Sequence, residues 1–365
     1  MDKTSMPIAP PLYQRLSLTL LGLCAFFFIL WAGQSIIVPL LFSMLLAMLL
    51  DPLVKRMVKW HFPRPLAIAL AVLFAMAALV GLGYFIVTQA AHFSELMPQL
   101  KEKSADLMEE AKHWVMNTTK VKPQEVDNAV DKVKEQSMQQ SGSLVGQTLT
   151  TVGTLFGFLF LLPVFTFLLI LYKELFHVFL TKIFRKNQHE TLDDVLGQTK
   201  GVVQSYLVGL LFEAAIVTAL NWVGLFAIGV KFALLMAVLA ALLNLIPYIG
   251  IIIGTIIPMA VAATTQDMSA AFWVLALFLA VQFIDNNIIV PMVVASRVQV
   301  NALMSILVVL IGGALWGIPG MFLSIPLTAI LKVIFDRVDG LEPFGYLLGS
   351  GDAPGSAEVK DPPRK

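Results

Sequence analysis

Charge is what this chain has least of. Only 13% of its 365 residues are Asp, Glu, Lys or Arg, and the net charge is +1, whereas soluble domains carry roughly a quarter of charged residues. A net charge so close to zero gives no footing for a nucleic-acid partner, and none is expected. It has one cysteine, Cys24, set inside an apolar run, which excludes an intrachain disulfide. Its histidines, His61, His92, His113, His177 and His189, fall separately in loops or near segment ends, so no metal centre is expected. A Gly-x-x-x-x-Gly-Lys-Ser/Thr loop for ATP is missing, as is any Ser/His/Asp arrangement. The chain therefore reads as a non-enzyme without cofactors.

Apolar length takes the place of charge. Hydrophobic residues make up 58% of the chain, and they gather in segments of spanning length at about 16–32, 34–50, 65–90, 144–172, 202–228, 232–263, 270–290 and 302–335. The expected fold is an all-α, polytopic integral membrane protein with a lipid bilayer as its first partner. The leading run, LSLTLLGLCAFFFILWAG, reads as a retained span and not a signal peptide, because a second apolar run follows almost at once. Two short loops are basic. One carries Lys55, Arg56, Lys59 and Arg64, the other Lys173, Lys182, Arg185, Lys186 and Lys200. Both are expected on the cytoplasmic side, which places both termini there as well.

The same pattern sets the expected domains. Residues 1–91 form three spans, and 92–143 a soluble, extracytoplasmic helical hairpin. Its first stripe is Leu96, Leu100, Leu107, Ala111 and Trp114, and its second Val126, Val130 and Val133. These stripes either cap the membrane part or pack against copies of themselves. Residues 144–200 hold a fourth span and a cytoplasmic connector whose Leu175, Phe176, Phe179, Ile183 and Phe184 suit a helix lying among lipid headgroups. Residues 201–337 form the core, and 338–365 a tail expected to be disordered from about Gly349.

Two segments are too long to cross once. As single helices, 232–263 and 302–335 would each run ~50 Å against a hydrocarbon core of ~30 Å. Both are interrupted by Gly and Pro, in NLIPYIGIIIGTIIP and GGALWGIPGMFLSIP. Either they are kinked, tilted spans, or each is a hairpin that enters and leaves on one side. The segments also share an early Ala-Leu, a central break and a closing Ile-Pro, and the span at 270–290 between them would make two hairpins open from opposite sides. Paired broken segments of that kind mark the central site of a transporter. Arg297 falls on the cytoplasmic side only if they are hairpins.

Polar residues inside such a core are costly and mark function by default. Glu213 lies about ten residues from either end of its span. In VQFIDNNIIVP, Gln282, Asp285 and Asn286 follow the i, i+3, i+4 rule and share a face, while Asn287 points elsewhere and Pro291 frees a carbonyl near residue 287.

The motifs PYIG (247–250), QFIDNNIIVP (282–291) and GGALWGIPGMFLSIPLTAIL (312–331) follow three spans and a soluble insertion. In that order they resemble the autoinducer-2 exporter family of bacterial membrane proteins, which implies a cytoplasmic-membrane transporter driven, where driven, by ion gradients. The resemblance also implies homo-oligomers, with autoinducer-2 as cargo in some members and sodium or lithium/proton antiport in others. Where many relatives carry a Gly after the Pro291 region and a His-Pro before the last segment, this chain reads VVASRVQVNAL.

The expected translocation site gathers Glu213, Asn244, the break Pro247, Tyr248 and Gly250, the face Gln282, Asp285 and Asn286, and the second break with Gly317, Gly320 and Ser324. In one expectation these groups export a small polar solute such as autoinducer-2 by alternating access, Asn244, Asn286 and Ser324 holding it. In another Asp285 or Glu213 exchanges a monovalent cation for a proton. In a third the protein is a membrane scaffold that works through residues 92–143.

Overall fold

The computed structural model describes residues 12–94, 157–185, 188–246, 249–293, 300–338 and 340–349. The stripes of the expected soluble insertion, Pro247, Tyr248, Arg297 and the tail from residue 350 lie outside the described residues, while residues 92–94 continue α3. Every described element is helical, as apolar backbone in a bilayer requires. α1 (Leu12–Ala32) and α2 (Gln34–Lys59) abut at Gly33 with no intervening loop. α2 ends in a Schellman cap, in which Phe62 N–H reaches the Met57 carbonyl and His61 takes the left-handed conformation at φ 67°.

α3 (Arg64–Ser94) follows, then α4 (Gly157–Leu171), which meets the connector α5 (Lys173–Ile183) at 63°. Nothing on α5 is buried, although Leu175, Phe176, Phe179 and Ile183 are large and apolar. The spine of the molecule is α6 (His189–Ile228). At 40 residues it is ~60 Å long, and Gly229 stops it in a left-handed cap at φ 85°.

Both oversized segments are helical hairpins. The first pairs α7 (Ala233–Asn244) with α8 (Ile249–Thr265). Gly250 passes so close to α7 that a β-carbon there would lie 1.7 Å from the Leu243 carbonyl oxygen, so no larger residue fits the turn into α8. At the open end Gln266 Nε2 donates to the Gly229 carbonyl at 2.6 Å and holds the two feet together.

After α9 (Met268–Ile284), a π turn (Asp285–Ile289) and α10 (Val290–Val293), the second hairpin is α11 (Ala302–Phe335). Gly317, at φ 63° and ψ −143°, folds it in two, a conformation open essentially to glycine. The arms touch where Ser324 Oγ donates to the Val308 carbonyl at 2.8 Å. In a straight helix sixteen residues would separate those groups by ~24 Å. Gly320 is the counterpart of Gly250, since its β-carbon would lie 2.0 Å from the Gly312 carbonyl oxygen. A single amide again closes the base: Asn301 Nδ2 donates to the carbonyls of Leu347 (2.8 Å) and Gly349 (3.0 Å) at the C-terminal end of α12 (Glu342–Leu348). The stretch after residue 337 thus opens with a packed helix, whose Phe344 ring sits 5.8 Å from that of Phe335.

Two anchors fix the direction of each hairpin along α6. Gln266 ties the first base to Gly229 at the C-terminal end of α6, and Arg337, at the foot of the second, pairs with Asp194 near its N-terminus. The hairpins therefore point toward each other from opposite ends of one helix. Apolar packing follows the same division. Leu225 of α6 is buried with Leu235 and Met236 of α7, Val261 of α8 and Val274 of α9, while Val203 and Leu207 are buried with Leu323 of α11 and Val38 and Leu45 of α2.

Five described helices are long and apolar enough to cross a membrane, and the bent α4–α5 pair adds a sixth. One of those five is α11, which is folded in two, and 232–263 contributes two shorter helices instead of one long span.

Candidate functional site

Among the described residues the buried charged side chains are Asp51, Glu213 and Asp285. Two of these meet at the tip of the first hairpin. Asn244, the last residue of α7, sits ~18 Å from the hairpin foot, deep enough to reach the middle of a bilayer. Its Nδ2 donates to Asp285 Oδ2 at 3.1 Å and reaches Glu213 Oε1 at 3.4 Å. One amide nitrogen with two hydrogens thus bridges two carboxylates from different helices. Gln282 Nε2 adds a long contact of 3.5 Å to Asp285 Oδ2 and a second of 3.1 Å to Asn286 Oδ1.

Asp285 is placed by the π turn that begins with it. Val290 N–H bonds back to the Asp285 carbonyl, one residue further than in an α-helix. The cause lies just downstream, because Pro291 has no N–H to give and its ring crowds the carbonyl four residues earlier, so the helix widens ahead of it. Asn287 turns away and donates to the Phe283 carbonyl at 2.8 Å. Asp285 Oδ1 is buried with no hydrogen-bond partner among the described residues, and Asn221 Oδ1 is in the same state. Buried polar atoms left without a partner are rare.

A cavity of about 20 Å³ adjoins this cluster, lined by Asn221, Asn244, Gly250, Gly254, Thr255 and Gln282 among others. It has room for one water or a small ion. Gly250, Gly254 and Thr255 of α8 contribute to its hairpin wall.

The structure brings Glu213, Asn244, Gly250, Gln282 and Asp285 together, with Asn286 on the exposed rim. Gly317, Gly320 and Ser324 stand apart from them. They build the second hairpin, and the Ser324 hydroxyl is engaged there by the carbonyls of Val308 and Gly320. Asn221 and Thr255 are residues of the cavity that the sequence reading did not select. Asn221 was visible as an amide eight residues, just over two helical turns, beyond Glu213.

The described helices define an all-α, polytopic membrane protein with two opposed hairpins and a polar cluster at the tip of the first. The family model described as "AI-2E family transporter" matches residues 18–340, and the chain belongs to that family. It is 29% identical over 321 residues to the "Putative transport protein YhhT" of Escherichia coli (strain K12), covering 88% of this chain and 90% of the relative. It is 27% identical over 320 residues to the "AI-2 transport protein TqsA" of the same organism, covering 87% of this chain and 90% of that one. A "Putative transport protein" of Haemophilus influenzae is 29% identical over 356 residues, covering 91% of this chain and 96% of the relative. Family and relatives are transport proteins, which points away from catalysis.

Proposed function

We propose that this protein is a secondary transporter that exports a small polar solute such as autoinducer-2, with Glu213 and Asp285 as its coupling site. The observation that carries this reading is the Asn244 bridge, which joins a carboxylate on the spine helix to one on the π turn after α9 through the tip of a hairpin. Loading a proton or cation between the acids changes what Asn244 holds, and so changes where the tip rests. Alternating access then needs only that the opposed hairpins withdraw in turn. The likeness to the transport protein TqsA, whose name gives AI-2 as its cargo, supports the choice of solute.

A second reading is sodium or lithium/proton antiport, favoured by the size of the cavity, which suits an ion better than a polyhydroxylated solute. Proteoliposomes separate the two. A pH-gradient response to added sodium or lithium that vanishes in both Glu213→Gln and Asp285→Asn supports antiport. Saturable autoinducer-2 efflux that vanishes in the same variants, without a cation response, supports export. If neither activity is present, the transport reading fails and the scaffold expectation takes its place.

The proposal includes the bacterial inner membrane as location, with both termini in the cytoplasm. Supporting it, Lys55, Lys59, Lys173, Lys200 and Arg337 all gather at the α6 N-terminal end of the molecule. Assembly into a homo-oligomer is part of the same reading and rests on the amphipathic stripes of residues 92–143.

A further inference from the structure

A second cavity lies far from the site at the hairpin tip. It measures about 350 Å³ and sits between the C-terminal end of α2, the start of α3 and the α4–α5 bend. Such a volume is at the lower end of what small-molecule sites enclose, roughly 300–1,000 Å³. Lys55, Lys59, Arg64 and Lys173 line it, against the carboxylates of Asp51 and Glu174. Glu174 is taken by Arg64 at 2.6 Å. Asp51 is shared three ways, by Lys173 at 3.2 Å, Lys55 at 3.3 Å and Lys200. Lys59 has no ion pair among the described residues, and Lys55 keeps 62% of its side chain exposed. The cavity thus carries more positive charge than its own acids balance.

Its remaining wall is apolar, formed by Val54, Val58 and Ile170. Its depth in the membrane follows from α5, which leaves α4 at 63° with its apolar side chains uncovered, as a helix lying at the level of headgroups does. Lys173, at the start of α5, marks that level inside the cavity. A pocket with surplus cations, an aliphatic wall and a mouth at headgroup depth suits one chemistry.

We propose that this cavity binds a phosphate-bearing anion, presented there as the headgroup of an acidic phospholipid. Lys55, Lys59 and Lys173 hold the phosphate, and Val54, Val58 and Ile170 accept the adjoining glycerol and upper acyl carbons. This inference is independent of the transport reading, since it involves neither Glu213 nor Asp285.

The test titrates the full-length protein in neutral detergent with phosphatidylglycerol, phosphatidylcholine or inorganic phosphate and follows binding by native mass spectrometry. Phosphatidylglycerol should bind at least about tenfold more tightly than phosphatidylcholine, and Lys55→Gln/Lys59→Gln should remove that preference. Both side chains are at the mouth, and Asp51 retains Lys173 and Lys200 in the variant, so folding should survive; an unchanged circular dichroism spectrum checks this. Lys182→Gln, on α5 outside the cavity lining, removes an equivalent charge and should leave the preference intact. Inorganic phosphate competing at matched concentration would support the phosphate site and assign it a soluble occupant. Equal binding of both lipids with no phosphate competition would overturn the proposal, as would equal losses in the cavity and Lys182 variants.

Discussion

Ser324 Oγ lies 2.8 Å from the carbonyl oxygen of Val308 and 2.7 Å from that of Gly320, so one hydroxyl fastens the two arms of the second hairpin. Ser324→Ala should cost about 1 kcal/mol, the usual net value of such a bond. Gly320→Ala should cost more, about 1–3 kcal/mol, because its new methyl group must push the Gly312 backbone away. Thermal unfolding in detergent reads both. An unchanged melting temperature in Gly320→Ala would show that the arms are not closed as described.

The Asn244 bridge makes a prediction about coupling. Asn244→Leu removes the shared donor and should lower transport in proteoliposomes by about tenfold or more, the effect of losing a buried hydrogen bond to a charged group. Adding Glu213→Gln to it should cost much less than Glu213→Gln costs alone, because groups in one network are not additive. Fully additive losses would mean that Asn244 and Glu213 act separately.

Asp51 is expected to matter for stability. In Asp51→Asn the ammonium groups of Lys55, Lys173 and Lys200 would face one another without a counter-charge, at a cost of about 1–3 kcal/mol. High salt should relieve the defect, since at 1 M the screening length falls to about 3 Å, shorter than the spacing of ammonium groups gathered around one carboxylate. Melting curves at low and high ionic strength decide it, and a salt-independent loss would point to packing instead.

Gln266→Ala tests the base of the first hairpin. Losing its bond to the Gly229 carbonyl should loosen the α6–α7 turn by about 1 kcal/mol. Hydrogen exchange at residues 229–236 should then quicken while residues 203–210, on the other half of α6, stay unchanged.

Much of this architecture was legible in the sequence, for definite reasons. Gly and Pro interrupt both oversized segments, and the arithmetic of 1.5 Å per residue against a bilayer leaves little but kinks or hairpins. Choosing between those needed the Ser324–Val308 and Gly250–Leu243 approaches, which are tertiary facts. Glu213 and the Gln282–Asp285–Asn286 face were readable because charge in an apolar run is conspicuous. Their partner Asn244 was selected as an amide able to hold a solute, but nothing local could say that it would span two helices. The lysines around Asp51 read only as a topological signal, because their convergence depends on α2, α5 and α6 meeting at one end of the molecule. Gly317, Gly320 and Ser324 were legible as a break, and the fold shows how they close the second hairpin.

The π turn before Pro291 has one more effect. Spending an additional residue over a single turn rotates everything beyond it by ~100° about the helix axis relative to Met268–Ile284. The helix is therefore out of phase with itself, and Val290–Val293 presents a different side to its neighbours than an unbroken rod would. Deleting one residue between Asn286 and Ile289 would bring the two portions back into phase. A one-residue gap in an otherwise well-matched relative would, at this point in the chain, turn a different face of Val290–Val293 toward its neighbours.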